Sequence, residues 1–217
     1  MIKTLLLCLL TIQSLWALHP DDFKWEIDKD RRGIKVFKAP RHEETGIIPI
    51  KAQTVLDFPI SRVLTVLADT KRKAEWIPKL DEAYIIEEKS KYSRIEYARY
   101  SAPWPFHDRS FVISTKGRYD PKERTIFIDI QSTTHDKAPL NPKYVRGKTY
   151  IGSVFLKYVE ENKTFFEITL LTDFRGNIPA WIINLVQSSW PFKMVDNLTA
   201  QLKKDDIVIP EFYKSPE

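Results

Sequence analysis

Four side chains of this 217-residue sequence are candidates for proton transfer: Glu96, His107, Arg109 and Asp173. Carboxylates and imidazoles act as general acids and bases when they come together in a pocket with a substrate. An enzyme for a hydrophobic substrate, such as an aromatase/cyclase or a hydrolase, would need these groups to converge. If they are scattered over the surface, that function is excluded.

The motifs of the common catalytic and cofactor sites do not occur in the sequence. Its four histidines do not pair at the spacing of metal ligands, and HxH, HExxH and CxxC are missing. There is no GxSxG motif, and the single cysteine, Cys8, lies in the N-terminal segment. With six glycines in total, the chain has neither a phosphate-binding loop nor a dinucleotide fingerprint. We therefore predict no enzyme activity, no metal and no cofactor.

The segment from residue 101 to residue 112 is an apolar connection between two predicted strands. It contains Trp104, Phe106 and two prolines, which make it stiff. One interpretation is a loop that packs on an ordinary core. The other is a lid over an apolar cavity, and the sequence leaves both open.

Residues 178–204 show the pattern of an amphipathic helix. Pro191 lies inside this segment and is expected to kink the helix near Gln187. The predicted stripe must face something apolar, which is either a plain core or the wall of a cavity. Its members recur every four residues: Ile182, Val186, Trp190, Met194, Leu198 and Leu202.

The elements that must position these groups are mainly strands. Alternating patterns and short turns predict an antiparallel sheet of about nine strands, and a shorter helix is predicted over Ile60–Thr70. The fold class is α+β, with one domain at 18–205 and a C-terminal tail at 206–217. The predicted strands lie at 24–29, 34–38, 47–56, 83–88, 92–101, 110–118, 125–132, 144–159 and 164–174.

Residues 1–17 have the features of a signal peptide. Lys3 precedes an apolar stretch that is too short to cross a bilayer, and Ala17 is the expected cleavage point. A membrane anchor or a buried helix is the alternative. Cleavage would remove the only cysteine, so the sequence favours export to a bacterial periplasm, with secretion as the other possibility.

The charge of the chain is mildly basic. The net charge is +5, which becomes +4 when Lys3 is removed with the signal peptide. Because no long run of lysine and arginine occurs, nucleic-acid binding is not expected.

In order and spacing, several segments resemble the START (StAR-related lipid-transfer) domain of the helix-grip superfamily, in an exported bacterial form. The resemblance covers nearly the whole chain after residue 17. Ser110 replaces an aspartate of the family motif, and Pro191 falls where the family often has proline. The matching segments are Trp25 with Gly33–Phe37, Asp69–Trp76, Trp104–Val112 and Asp173–Asn184.

The resemblance implies a curved antiparallel sheet wrapped around a long C-terminal helix, with an internal apolar cavity between them. The cavity would hold one lipid, such as a sterol, a phospholipid or a ceramide. The 101–108 loop and the C-terminal helix would form its mouth. The residues expected to contact the lipid are Trp76, Glu96, Ala98, Tyr100, Trp104, Phe106, Arg109, Ile113, Thr115, Ile182, Val186, Trp190, Met194 and Leu198.

Glu96 marks a departure from the sterol-carrying members of that family. In those members a cavity carboxylate pairs with a basic residue, and Thr115 occupies the basic position here. An unpaired buried carboxylate is costly. Glu96 should therefore be protonated, bind a ligand hydroxyl, or find another donor among Arg94, Arg118 and Arg146.

The orientation of Glu96 decides which of its neighbours face the cavity. Strand alternation would place Ala98 and Tyr100 beside an inward Glu96, with Ile113 and Thr115 on the next strand. The opposite phase would turn Tyr97 and Arg99 inward. A solvent-facing Glu96 would have no part in binding.

These observations predict a monomer that binds one hydrophobic ligand for transport or sensing in the periplasm. Transient contact with a membrane surface is expected. The alternatives are an enzyme on the same fold and a ligand-free interaction module whose Trp104 loop docks to a partner. A solidly packed interior would favour the interaction module.

Overall fold

The computed structural model describes residues 18–214, so the predicted signal peptide 1–17 and the last three residues lie outside the described part. Within that part, four α-helices and two 3-10 helices accompany ten strands. The strands are β1 Glu26–Arg31, β2 Ile34–Lys38, β3 Ile50–Leu56, β4 Leu80–Ser90, β5 Ser93–Tyr100, β6 Arg109–Asp120, β7 Thr125–Ser132, β8 Val145–Arg146, β9 Lys148–Glu160 and β10 Lys163–Asp173. The α-helices are α1 Ile60–Ala68, α2 Ala180–Gln187, α3 Trp190–Leu202 and α4 Glu211–Lys214, and the 3-10 helices are Pro20–Asp22 and Thr70–Glu75.

Nine of the strands form one continuous antiparallel sheet, as predicted. Their order is β1-β2-β3-β10-β9-β7-β6-β5-β4. The tenth strand, β8, pairs in parallel with β6. The predicted strand over 144–159 is thus divided at Gly147, where a side chain would collide with the ring of Phe111.

The main core lies between one face of this sheet and helices α1 and α3. Side chains from β2, β3, β7, β9 and β10 join one cluster with both helices. Adjacent strands are about 4.8 Å apart, so a flat sheet could not bring so many of them to one helix. The sheet therefore curves around α3, and we call the face that meets the helices the concave face.

The C-terminal helix differs from the prediction because it is two helices rather than one kinked helix. Ser188 and Ser189 separate α2 from α3. Pro191 lies in the first turn of α3, where backbone N–H groups lack helical partners, so the missing N–H of proline costs nothing. The proline thus begins a new helix.

The C-terminal tail is attached to the domain. Ile207 packs against the main core, and α4 contacts α1. No helix in residues 18–214 combines the length and the apolar character needed to cross a membrane.

Candidate ligand-binding site

The register of β5 and β6 fixes which of their side chains face the helices. Glu96 lies opposite Ile113, and Arg94 lies opposite Thr115. Thr115 in turn is opposite Ile130, which packs on the main core. Glu96, Ala98, Tyr100, Ile113 and Thr115 therefore share the concave face, the first of the two phases considered.

The opposite phase is excluded by a small cluster on the outer face of the sheet. Ile95, Tyr97 and Val112 pack there against Ala138, which belongs to the segment between β7 and β8. Arg99 forms ion pairs with Asp81 and Asp108. Tyr97 and Arg99 therefore do not line the interior.

Glu96 is the centre of a buried polar cluster and is only 2% exposed. Its Oε2 lies 2.7 Å from Nζ of Lys73, and its Oε1 accepts a hydrogen bond from the hydroxyl of Thr70. Nε of Arg94 lies 2.9 Å from Oε1 as an ion pair, but it is not aligned for a hydrogen bond. Both carboxylate oxygens are thus occupied by groups of the protein.

Burial and the neighbouring charges shift the pKa of Glu96 in opposite directions. Burial acts to raise the pKa of Glu96, but the charges of Lys73 and Arg94 outweigh it and hold that pKa below its ordinary value. Burial lowers the pKa of the Lys73 ammonium, against the attraction of Glu96. The two cations therefore favour the carboxylate form of Glu96 over the protonated form that the sequence left open.

The donors predicted for Glu96 were only partly correct. Arg94 is one of its partners, whereas Arg118 pairs with Asp129. Arg146 donates instead to Oγ of Ser110 at 3.0 Å. A ligand hydroxyl is not needed to satisfy Glu96, because protein groups already do so.

Sequence reasoning missed Thr70 and Lys73, the other two partners of Glu96. They lie on the Thr70–Glu75 turn, three residues apart. A 3-10 helix has three residues per turn, so both side chains point the same way. The signal was present as an i, i+3 pair, whose side chains share a face in a 3-10 helix and in an α-helix alike, but the sequence does not show that this face meets Glu96.

Trp76 and Tyr100 place further polar atoms near the interior. Trp76 is buried in the main core, and its indole Nε1 has no hydrogen-bond partner among residues 18–214. Burial raises the pKa of Tyr100 to about 12, and its ring meets that of Phe111 edge-on. Both side chains were predicted as ligand contacts.

The 101–108 loop carries one of the most exposed aromatic side chains of the protein. Trp104 is 93% exposed, whereas Phe106 is partly buried and lies beside Arg109. At the base of the loop, Asp108 accepts a hydrogen bond from the backbone N–H of Ala102. Trp104 is thus free to contact something outside the protein, which a loop packed on the core would not allow.

Arg109 holds the loop against the connection that leads to α2. Its guanidinium is buried and donates to the backbone carbonyls of His107, Phe174 and Arg175. These bonds occupy the guanidinium with protein acceptors, so Arg109 joins the 101–108 loop to the segment between β10 and α2. Its predicted contact with a ligand stays a prediction.

The apolar stripe predicted for the C-terminal helix faces the core in α3, as expected, but in α2 it does not. Met194 and Leu198 are buried in the main core, and Trp190 packs against it. Val186, however, is 59% exposed, and Ile182 is only partly buried. The break at Ser188–Ser189 shifts the helical phase, so the residues of α2 that face inward are Ile183 and Gln187.

Apolar surface remains accessible on the concave face. Four apolar residues of this face are only partly buried: Ile113, Ile128, Ile130 and Leu170. The last three pack against the main core, to which helices α1 and α3 contribute. Other side chains therefore do not cover this part of the face completely.

Two other pockets lie elsewhere. One of about 180 Å³ is bounded by α1, the end of α3 and the tail, and one of about 510 Å³ lies on the outer face beside Tyr84 and Tyr97. Neither is the predicted space under α2 and α3. An enclosed cavity at that place stays a prediction.

The side chains of the four candidates for proton transfer bond to other groups of the protein or to none, rather than to one another, within residues 18–214. Glu96 is held by Thr70 and Lys73, and Asp173 accepts from the backbone N–H of Arg175. Within the described chain, no hydrogen bond or ion pair joins two of the four side chains. No cluster of potential metal ligands occurs in that part either.

A curved antiparallel sheet that grips C-terminal helices is the architecture of a known family. The family model for the START domain matches residues 18–205, and the chain belongs to this family.

Solved structures show the same fold at low sequence identity. A STAR-related lipid transfer protein fragment from Xanthomonas axonopodis is 22% identical, with a TM-score of 0.72 over 83% of this chain and 99% of that one. Human STARD10 is 18% identical, with a TM-score of 0.77 over 83% of this chain and 74% of that one.

A curated relative carries the name of an enzyme. The mouse (Mus musculus) acetyl-coenzyme A thioesterase is 22% identical over 183 residues, which are 81% of this chain. The match covers 32% of the mouse protein, so this chain spans about a third of its length.

Proposed function

We propose that this START domain binds one hydrophobic molecule, a lipid, between the concave face and helices α2 and α3, and carries or senses it. The observation that supports this most directly is the partly buried apolar surface of Ile113, Ile128, Ile130 and Leu170 on the concave face. Enclosing about 400 Å² of lipid surface at about 25 cal/mol/Å² would give on the order of 10 kcal/mol before ordering costs. The names of the structural neighbours agree with this proposal.

Exchange of the lipid is proposed to occur at a membrane surface through α2 and the 101–108 loop. Trp181, Leu185 and Val186 of α2 are exposed, as is Trp104 of the loop. Apolar side chains of this kind gain free energy when they enter the interfacial region of a bilayer. The net positive charge would add a small attraction to anionic lipids that salt screens.

The place of action is proposed to be outside the cytoplasm, in a periplasm or secreted. Residues 1–17 support this by their charge and apolar pattern. A monomer is the proposed form.

A thioesterase activity is the second candidate, because curated relatives carry that name. The proposal of a non-enzymatic domain is supported by Glu96, His107, Arg109 and Asp173, because no hydrogen bond or ion pair joins the side chains of any two of them in the described part of the chain. A shared family can serve different functions, so the assay must include this activity.

Native mass spectrometry of the purified protein, with extraction of its bound lipids, tests the proposal. We expect one lipid per chain and no release of thiol from acetyl-coenzyme A. The control is the same protein after delipidation, which should take up a lipid from vesicles. A protein that carries no lipid and acquires none from a broad panel would contradict lipid binding. It would favour the interaction module, in which the exposed Trp104 loop docks to a protein partner.

A further inference from the structure

The outer face of the sheet carries a pocket of its own, on the side opposite to helices α1 and α3. It has a volume of about 510 Å³, which is within the range of small-molecule sites. It lies between side chains of β4 and β5 and the segment that joins β7 to β8, and we call it the outer-face pocket. Among the residues that line it are Glu82, Tyr84, Tyr97, Lys137, Leu140 and Tyr144.

Contacts at two places hold the segment between β7 and β8 against the sheet. Nε2 of His135 lies 3.3 Å from Oε2 of Glu87 on β4. Further along the segment, the guanidinium of Arg146 donates at 3.1 Å to the carbonyls of Ala138 and Pro139. The fold thus forms the outer-face pocket by itself, and a ligand that enters it pays little for ordering its walls.

Three tyrosines supply the aromatic surface of this pocket. Tyr84 and Tyr97 lie opposite each other on β4 and β5, and their rings stack with centroids 4.9 Å apart. Tyr97 is nearly buried whereas Tyr84 is 41% exposed, so the covered ring supports one that a ligand can reach. The guanidinium of Arg99 lies 5.5 Å from the ring centroid of Tyr144, and this contact helps to fix the third ring.

The phenol hydroxyls of these tyrosines are available to a ligand. Among residues 18–214, none of the three hydroxyls has a hydrogen-bond partner. Burial raises the pKa of Tyr84 and of Tyr97, so both phenols keep their protons at neutral pH and can donate as well as accept. Glu82 and Lys137 of the lining have opposite charges, which favours a neutral ligand over an ion.

A sugar ring combines the properties that this lining can recognise. The C–H groups on one face of a pyranose carry partial positive charge, which suits the negative face of an aromatic ring. Its hydroxyls donate and accept around the rim, as the phenols do. A lipid chain would leave the phenols without partners. A peptide strand is also disfavoured, because the register of β4 against β5 shifts at three places and an irregular edge resists strand addition.

We propose that the outer-face pocket binds a neutral sugar, whose ring stacks on Tyr84 and whose hydroxyls bond to the phenols of the pocket. This site is separate from the lipid-binding interior, because Tyr97 packs on the outer face while Glu96 faces the helices. The inference therefore does not rest on the proposed function. Sugar binding here would attach the domain to a sugar-bearing surface and leave its interior free for a lipid.

NMR titration of the purified protein with neutral methyl pyranosides tests the proposal. The probes are the methyl glycosides of glucose, galactose, mannose and N-acetylglucosamine, with sorbitol as an open-chain control. We expect at least one pyranoside to bind with a dissociation constant on the order of 1–10 mM and to shift the signals of residues 82–84, 97 and 137–144. Sorbitol has hydroxyls but no ring face, so it should bind roughly tenfold more weakly or less.

Two variants and a matched control assign the binding to the outer-face pocket. Tyr84→Ala removes the exposed ring and should weaken the responding pyranoside about tenfold. Tyr84→Phe keeps the ring and loses one hydroxyl, so a loss of about threefold is expected. The control is Tyr92→Ala, which removes a tyrosine that is 58% exposed in the turn between β4 and β5, outside the pocket, and should leave binding unchanged.

Several results would overturn the sugar site. These are a failure of every pyranoside to bind, equal binding of sorbitol, and equal losses in Tyr84→Ala and Tyr92→Ala. Signals that shift only for residues outside the pocket would have the same meaning, as would a polyproline peptide that binds there when no sugar does. Circular dichroism monitors the fold of each variant, and the mapped shifts on the unaltered protein decide the question even where Tyr84→Ala does not fold.

Discussion

Helices α2 and α3 follow each other in the chain, yet they differ strongly in how many of their side chains are buried. In α3, the side chains of Phe192, Met194, Val195, Leu198 and Leu202 are all buried in the main core. In α2, only Ile183 and Gln187 are buried. By composition α2 is the more apolar helix, with six apolar residues of eight against seven of thirteen in α3, yet it buries fewer of them.

From this difference we predict that α2 detaches from the rest of the domain more easily than α3. Local opening is easiest where few apolar contacts must be broken. Besides Ile183 and Gln187, α2 is held by Asn184, which accepts from the N–H of Ile48 at 3.0 Å and donates to the carbonyl of Gly46 at 3.3 Å. A lipid could therefore enter beside α2 while α3 stays in place.

The largest expected effect is the loss of a side chain from α3. Leu198 is 0% exposed, and Leu198→Ala should lower the free energy of unfolding by about 3 kcal/mol, through lost burial and a residual cavity. Leu185→Ala is the matched control in α2, because that leucine is 64% exposed and its loss should cost less than about 0.5 kcal/mol. Urea denaturation measures both, and equal losses would contradict the contrast between the helices.

A smaller effect is expected when the attachment of α2 is weakened. Asn184→Ala removes two hydrogen bonds to the segment that holds Gly46 and Ile48, worth about 1–2 kcal/mol together. Amide hydrogen exchange in α2 should then accelerate roughly tenfold, while the amides of α3 serve as the internal control. Equal acceleration in both helices would show that α2 does not open by itself.

The contrast between the helices was only half predictable from the sequence. A stripe of apolar residues every four positions runs from Ile182 to Leu202 as if the helix were continuous. What interrupts it is Ser188–Ser189 ahead of Pro191, and a proline in the first turn of a helix gives the same sequence signal as a proline at a kink. The prediction of Val186 as an inward residue failed for this reason.

The sheet was predictable, as were the residues that share a face with Glu96, because strand alternation has a period of two, but the sequence left open which face Glu96 takes. Once Glu96 faces inward, Ala98 and Tyr100 must do so as well, and the register adds Ile113 and Thr115. The partners of Glu96 on the Thr70–Glu75 turn were not predictable in this way. Lys73 reaches Glu96 across 23 residues of chain, and such a contact depends on how the turn packs on the sheet.

Leu185→Ser should have the smallest effect on stability. It is also the sharpest test of the surface that α2 exposes. The side chain contributes little to the fold, so the free energy of unfolding should change by less than about 0.5 kcal/mol. Partitioning onto anionic vesicles should nevertheless fall roughly tenfold, because burial of a leucine in the interface contributes about 1.5 kcal/mol. Leu140→Ser is the control, since that leucine is 78% exposed but lies beside the outer-face pocket. If both variants lose vesicle binding equally, or if neither does, α2 is not the surface that meets the membrane.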